Sequence, residues 1–327
     1  MARLATDPPH GRLAARRTRA VSAFAWRGAD VAAAAIVLLA LALRLREPLS
    51  SPVIGAEDPY LRMANAWDVA QGRGLFTSHY PPGFSLLLAP FALMGPEVFY
   101  VVGRFLPPFL GAAQVLGVYA LGRAYLRPVG ALGGALVVAL IPENVFRTNL
   151  LFPTALDLAV LPWLFLAALR AHEGSRRALV AAGAMLAALL VTHPWVVALV
   201  VPVLAVHAAL LLARSPRRAA MALAAVGVAG ALLLLVLGFL PGTWNPAPAF
   251  LRHAGPRFAE LARDPSSLFP LPIHVNLPLM LTWPAIALAL AGAAVALVRR
   301  TPLALLALAW SALLLPFVLV DWFEVWF

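Results

Sequence analysis

The chain has 327 residues, 62% of them hydrophobic and only 12% charged, with a mean hydropathy of +0.87. A soluble domain carries nearer ~25% charged residues, so this composition excludes one and points to a polytopic membrane protein. The net charge of +11 comes from arginine alone, set between apolar runs rather than on one face, which argues for topology and against a nucleic-acid partner.

Residues 1–28 read as a basic, disordered cytoplasmic tail. A spanning helix needs about 20 apolar residues. That ruler gives nine spans, near 29–45, 98–121, 128–144, 151–170, 178–193, 195–213, 219–240, 278–298 and 302–320. Arg44 and Arg46 follow the first run directly with no small-x-small site, so it is read as a retained span and not a signal peptide. The run from 178 to 213 is too long for one span and is split at "THPW", because Pro194 breaks a helix. Between the first two spans lies a loop, residues 46–97, whose "GFSLLLAPFALMG" is too short to cross and is read as a helix at the interface.

Arginines collect on the cytoplasmic side of a membrane. With the N-terminus inside, the inner segments carry Arg3 to Arg27, then Arg123 and Arg127, Arg170, Arg176 and Arg177, Arg214, Arg217 and Arg218, and Arg299 and Arg300. Most carboxylates fall on the other side. The expected architecture is therefore an all-α bundle with residues 29–240 as its main module. Residues 241–277 form an outer loop with an interfacial helix, and residues 278–327 supply two further spans, either a minimal or a truncated end.

Chemistry is expected on the outer face. There is no phosphate-cradling glycine loop, HExxH or paired-His spacing, and with no cysteine, thiolate chemistry and Cys-ligated metals are excluded. Glu57 and Asp58 open the first loop's polar stretch, "EDPYLRMANAWDVA". Asp58 before Pro59 also fits a helix N-cap. The helix after it groups Tyr60, Met63, Ala64 and Trp67 on one side and Arg62, Asn65 and Asp68 on another, as a helix lying flat on headgroups would. Arg104 falls near the outer end of the second span, where a guanidinium is costly unless paired or beside water; Glu97 is its candidate partner. Asp157 is a carboxylate at the edge of a span, and His193 sits at the Pro194 break. His79 and Tyr80, with the run Pro81 to Gly83 behind them, either shape a groove or form a rigid turn.

The order of these pieces, an acidic pair, Gly-x-Gly, "HYPPGFSLLLAPFALMG", "GRFLPPFLGAAQVLGVYALGRAYL", "LVVALIPENVFRTNLLFPTALDLAVLPWLFLAALRAH" and "AMLAALLVTHPWVVALVVP", resembles the GT-C superfamily of integral membrane glycosyltransferases over residues 30–213. The likeness is nearest to the protein O-mannosyltransferase-like and bacterial lipid A or cell-envelope branch, and more distant to the oligosaccharyltransferase catalytic subunit.

The resemblance implies transfer of a sugar from a polyprenyl-phosphate donor to an extracytoplasmic acceptor, in the plasma membrane. The family's first-loop acid, a base toward the acceptor hydroxyl, falls on Asp58 or Glu57. Arg104 matches the arginine of an Arg-x-Leu-Pro pattern and, with His193, Arg62 and Arg147, is a candidate for the donor phosphate. Tyr60, His79, Tyr80, Glu143 and Asp157 are candidates for the acceptor or donor pocket. Relatives that use a divalent metal hold it with an acidic motif in the third loop. Here "ENV" and Asp157 leave that motif broken, so no metal ligands are assigned, and a divalent metal stays open as a cofactor. A transporter or lipid flippase and a non-catalytic subunit of the same fold are the alternatives.

Overall fold

The computed structural model describes residues 9–54, 57–73, 81–211, 227, 230 and 283–319. They are helical throughout, with no strand among them. In chain order the helices are α1 (Pro9–Ser50), α2 (Glu57–Ala70), α3 (Pro82–Ala92), α4 (Pro96–Tyr125), α5 (Pro128–Leu140), α6 (Pro142–Arg147), α7 (Pro153–His172), α8 (Arg176–Thr192), α9 (Pro194–Leu211), α10 (Trp283–Arg299) and α11 (Pro302–Leu319). Proline stands at or next to the first position of most of them, where its missing N–H costs nothing and its fixed φ suits the turn.

Among the described residues, three helices are long and apolar enough to cross a membrane: Trp26–Ser50, Pro96–Tyr125 and Pro153–His172. Two expectations are corrected here. Helix α1 reaches back to Pro9, so the segment expected to be a disordered tail is helical from that residue. The span expected over 128–144 breaks at Pro142, whose ring and missing N–H stop α5 after 13 residues and start the separate α6. The expected split at Pro194 is present: α8 ends at Thr192 and α9 begins at Pro194. The segment 219–240 and the outer loop 241–277 lie outside the described residues, apart from two isolated glycines.

Helix α4 is the hub. Lipid offers apolar side chains no reason to leave it, so helices in a bilayer associate through close packing, and small residues permit it. Four glycines of α4 each meet a different neighbour. A Cβ on Gly103 would strike Met63 of α2, one on Gly111 would strike Arg44 of α1, one on Gly117 Trp163 of α7, and one on Gly122 the backbone of Ala131 in α5. A second apolar core, with Leu164, Leu189, Val200 and Leu306, joins α7, α8, α9 and α11.

The short helices α2 and α3 fold onto one end of this bundle. Met63, Ala66, Phe84, Leu88, Phe99 and Leu151 form a common buried cluster. Trp67 lies 6.3 Å from Phe99 and Met63 packs at Gly103, so α2 meets α4 in opposite sequence order. This corrects the expected faces. Pro59, Met63 and Ala66 point inward, whereas Tyr60 and Ala64 point out, because α2 is held by α3 and α4 and does not lie free with Tyr60 and Trp67 on one apolar side.

Candidate functional site

Chain direction collects most of the buried polar side chains at one end, Arg44, Ser85, Thr148, Asp157 and Thr192. The C-terminal ends of α1, α5 and α8 meet the N-terminal ends of α4, α7 and α9 there, with α2 and α3 against them. Each helix end leaves backbone groups without intrahelical partners, and buried ones must be met by side chains.

Arg44 is wholly buried and does this for α5. Its Nε donates to Thr148 Oγ1 at 2.7 Å, and its Nη1 donates to Ala139 O at 3.3 Å and to Ala40 O at 3.1 Å. Asn144 adds a second donor to the end of α5, from Nδ2 to Val138 O at 2.8 Å. Arg104 does the same for α1. Its Nη2 donates to the carbonyls of Pro48 and of Ser51, the latter at 2.7 Å, while its guanidinium carbon lies 5.3 Å from the Phe105 ring centre. Tyr100 Oη donates to the Pro52 carbonyl beside it. Arg104 is therefore committed to carbonyls and not to Glu97, its expected partner.

The central feature is a buried pair. Asp157, on the second turn of α7, is 1% exposed, and His193 Nδ1 lies 2.5 Å from its Oδ2. His193 is the junction residue between α8 and α9. Its N–H donates to Leu189 O at 2.6 Å to close α8, and its own carbonyl accepts from Val196 N at 3.1 Å. Thr192 Oγ1 donates back to Ala188 O at 2.9 Å, a bond that loosens the last turn. A carboxylate oxygen only accepts, so His193 Nδ1 carries the proton of this hydrogen bond. Asp157 Oδ1 has no hydrogen-bond partner among the described residues.

The Pro-Pro-Gly run is laid over this junction. A Cβ on Gly83 would sit 2.6 Å from the Val191 carbonyl carbon and oxygen and 2.8 Å from Thr192 N, so glycine is required for α3 to seat on the end of α8. Thus the end of the first loop lies against the residues next to His193.

The remaining candidates divide. Helix α2 begins at Glu57, so Asp58 belongs to its first turn and is not the residue before it; its side chain is exposed. Tyr60 is 40% exposed, and its Oη accepts from Ile54 N at 3.1 Å. Arg62 is half-buried on α2. Arg147 is bound to Glu143 one turn before it, with Nε 2.6 Å from Oε1, which occupies one pocket candidate with one phosphate candidate. The side chain of Glu57, and His79 and Tyr80 entirely, lie outside the described residues. Glu143 and Asp157 hold different partners, and among the described residues no three metal-ligating side chains gather.

Sequence reading missed Arg44 as an interior residue, since it stands with Arg46 where a span ends. The available signal was Gly111 in the middle of the second span, a notch that some large side chain had to fill. It also treated Asp157 and His193 separately. The first stands 17 residues before Gly174 and the second 19 after it, so an α7–α8 hairpin turning at Gly174 brings them together.

A recess of about 610 Å³ lies at the opposite end of α7, around Arg170. Thirteen residues of helix separate Arg170 from Asp157, roughly 20 Å. The cavity expected between the first loop and the spans would be bounded partly by residues 55–56 and 74–80, which are outside the described residues. No protein-family model matches the chain, and no curated protein matches it either.

Proposed function

We propose that the protein is an integral membrane glycosyltransferase of GT-C type, which moves a sugar from a polyprenyl-phosphate donor to an extracytoplasmic acceptor. One juxtaposition supports this reading: acid-bearing α2 and the Pro-Pro-Gly start of α3 are folded onto the bundle end that contains the Asp157–His193 pair. An acceptor hydroxyl is a poor nucleophile until a base takes its proton. In the proposal that base is Asp58 or Glu57. The departing phosphate is met by cations from the set Arg104, His193, Arg62 and Arg147, of which Arg62 stands one turn after Asp58 on α2. Nine spans, an inner N-terminus, the plasma membrane and an outward-facing site belong to the same proposal. They rest on the arginines: Arg123, Arg127, Arg170, Arg176 and Arg177 all stand at the end opposite α2 and α3.

The test is incubation of the purified protein with a panel of polyprenyl-phosphate sugars, with released lipid phosphate read by mass spectrometry. Release by wild type, lost in the Glu57→Gln/Asp58→Asn double variant, is the expected result. Background release by both from every donor, while a control enzyme turns over, removes the proposal.

A second reading, proton-coupled transport, is favoured by a separate observation: a 1% exposed carboxylate bound to histidine inside a helix apolar enough to span. It predicts substrate-driven proton uptake into proteoliposomes that Asp157→Asn abolishes, with no glycosidic bond broken.

A further inference from the structure

We propose that the recess between α7 and α8 binds an anionic phospholipid, headgroup at the α7–α8 turn and acyl chain along the helices. The recess is amphipathic along its length. Its floor is Trp163, Leu166, Ala181 and Met185, and its mouth is Arg170, Glu173 and Arg177. From Arg177 to Met185 is eight residues of helix, roughly 12 Å, so the apolar floor extends more than two turns below the charged mouth. A small soluble anion has no use for that floor. A diacyl lipid fills both parts.

The charge at the mouth is not balanced by the protein. Glu173 is the one carboxylate lining it, and its Oε2 is 3.4 Å from Arg170 Nη1. Arg170 also lies 5.8 Å from the Tyr125 ring centre, which holds its guanidinium at the turn. Arg177 makes no ion pair or side-chain hydrogen bond among the described residues, and exposed Arg176 stands next to it. Two arginines lining the recess against one carboxylate leave an excess positive charge directly above an apolar channel. A basic pocket between helices of a membrane protein selects an anionic headgroup over a zwitterionic one.

The full-length protein, purified in detergent and stripped of lipid, is titrated with palmitoyl-oleoyl phosphatidylglycerol or with phosphatidylcholine of the same chains, and bound lipid is counted by native mass spectrometry. One phosphatidylglycerol is retained where phosphatidylcholine is not, and its affinity falls about fivefold for each of Arg170→Gln and Arg177→Gln. Ala181→Trp, which fills the floor and leaves every charge in place, also expels it. Arg299→Gln with Arg300→Gln, a basic pair elsewhere, leaves retention unchanged. Equal retention of both lipids, full retention by the arginine and Ala181→Trp variants, or displacement of the lipid by millimolar inorganic phosphate overturns the proposal.

Discussion

Replacing Gly83 by alanine tests the contact on which the candidate site depends. The added Cβ would lie 2.6 Å from the carbonyl carbon and oxygen of Val191, where carbon atoms need about 3.5 Å. Helix α3 must then lift from α8 by roughly 1 Å. Overpacking a tight contact costs about 1–3 kcal/mol, and because the obstacle is backbone and not a side chain able to rotate, the cost is expected near about 3 kcal/mol. Over 327 residues the slope is roughly 1.5 °C per kcal/mol, so the unfolding midpoint falls about 4 °C. The assay is thermal unfolding of the detergent-solubilised protein followed by tryptophan fluorescence. Gly183→Ala, in α8 with nothing within 4 Å of its added Cβ, serves as the opposite case and stabilises by roughly 0.5–1 kcal/mol. If Gly83→Ala melts with the wild type, α3 does not rest on the end of α8, and the first loop is not seated beside His193.

Three further outcomes are expected. In a double-mutant cycle, Asp157→Ala and His193→Ala each cost about 1–3 kcal/mol, with a coupling of at least about 0.5 kcal/mol between them; strict additivity would mean that the two side chains do not meet. Arg44→Ala destabilises by about 3 kcal/mol or more, since it opens a cavity and strips the end of α5 of a donor, whereas exposed Arg46→Ala stays within about 0.5 kcal/mol of wild type; equal effects would mean that Arg44 is not interior. Arg104→Gln frees the carbonyls of Pro48 and Ser51, so limited proteolysis between residues 48 and 54 quickens while the rest of the digest is unchanged.

Much of the helical layout was legible because proline acts through the backbone. Pro194 divides α8 from α9 wherever side chains point, and the run Pro81 to Gly83 opens α3 for the same reason. The same signal at Pro142 was overridden by hydropathy, which measures apolar content and is blind to a missing N–H; hence one expected span became α5 and α6. The α2 face was misread because amphipathicity reports a two-sided environment and does not identify it. Met63 and Ala66 are buried by α3 and α4, which a pattern of 14 residues does not contain. At the site, residue types were readable and partnerships were not. Arg104, Arg147 and His193 were each assigned toward a ligand, and each is held by the protein itself, by carbonyls, by Glu143 and by Asp157.

The seat of Arg44 bears on how the chain is made. Its hydrogen-bond partners Ala139 and Thr148 leave the ribosome 95 and 104 residues later. Until then the guanidinium has no interior to enter and reaches instead toward the headgroups from the nearby end of its own helix. A first helix inserted on these terms docks late, drawn inward only when its acceptors emerge. Because the chain has no cysteine, a single engineered pair between α1 and α4, tested on nascent chains of increasing length, would time that docking directly. Crosslinking that begins only once residue 148 has emerged from the ribosome is the expected pattern.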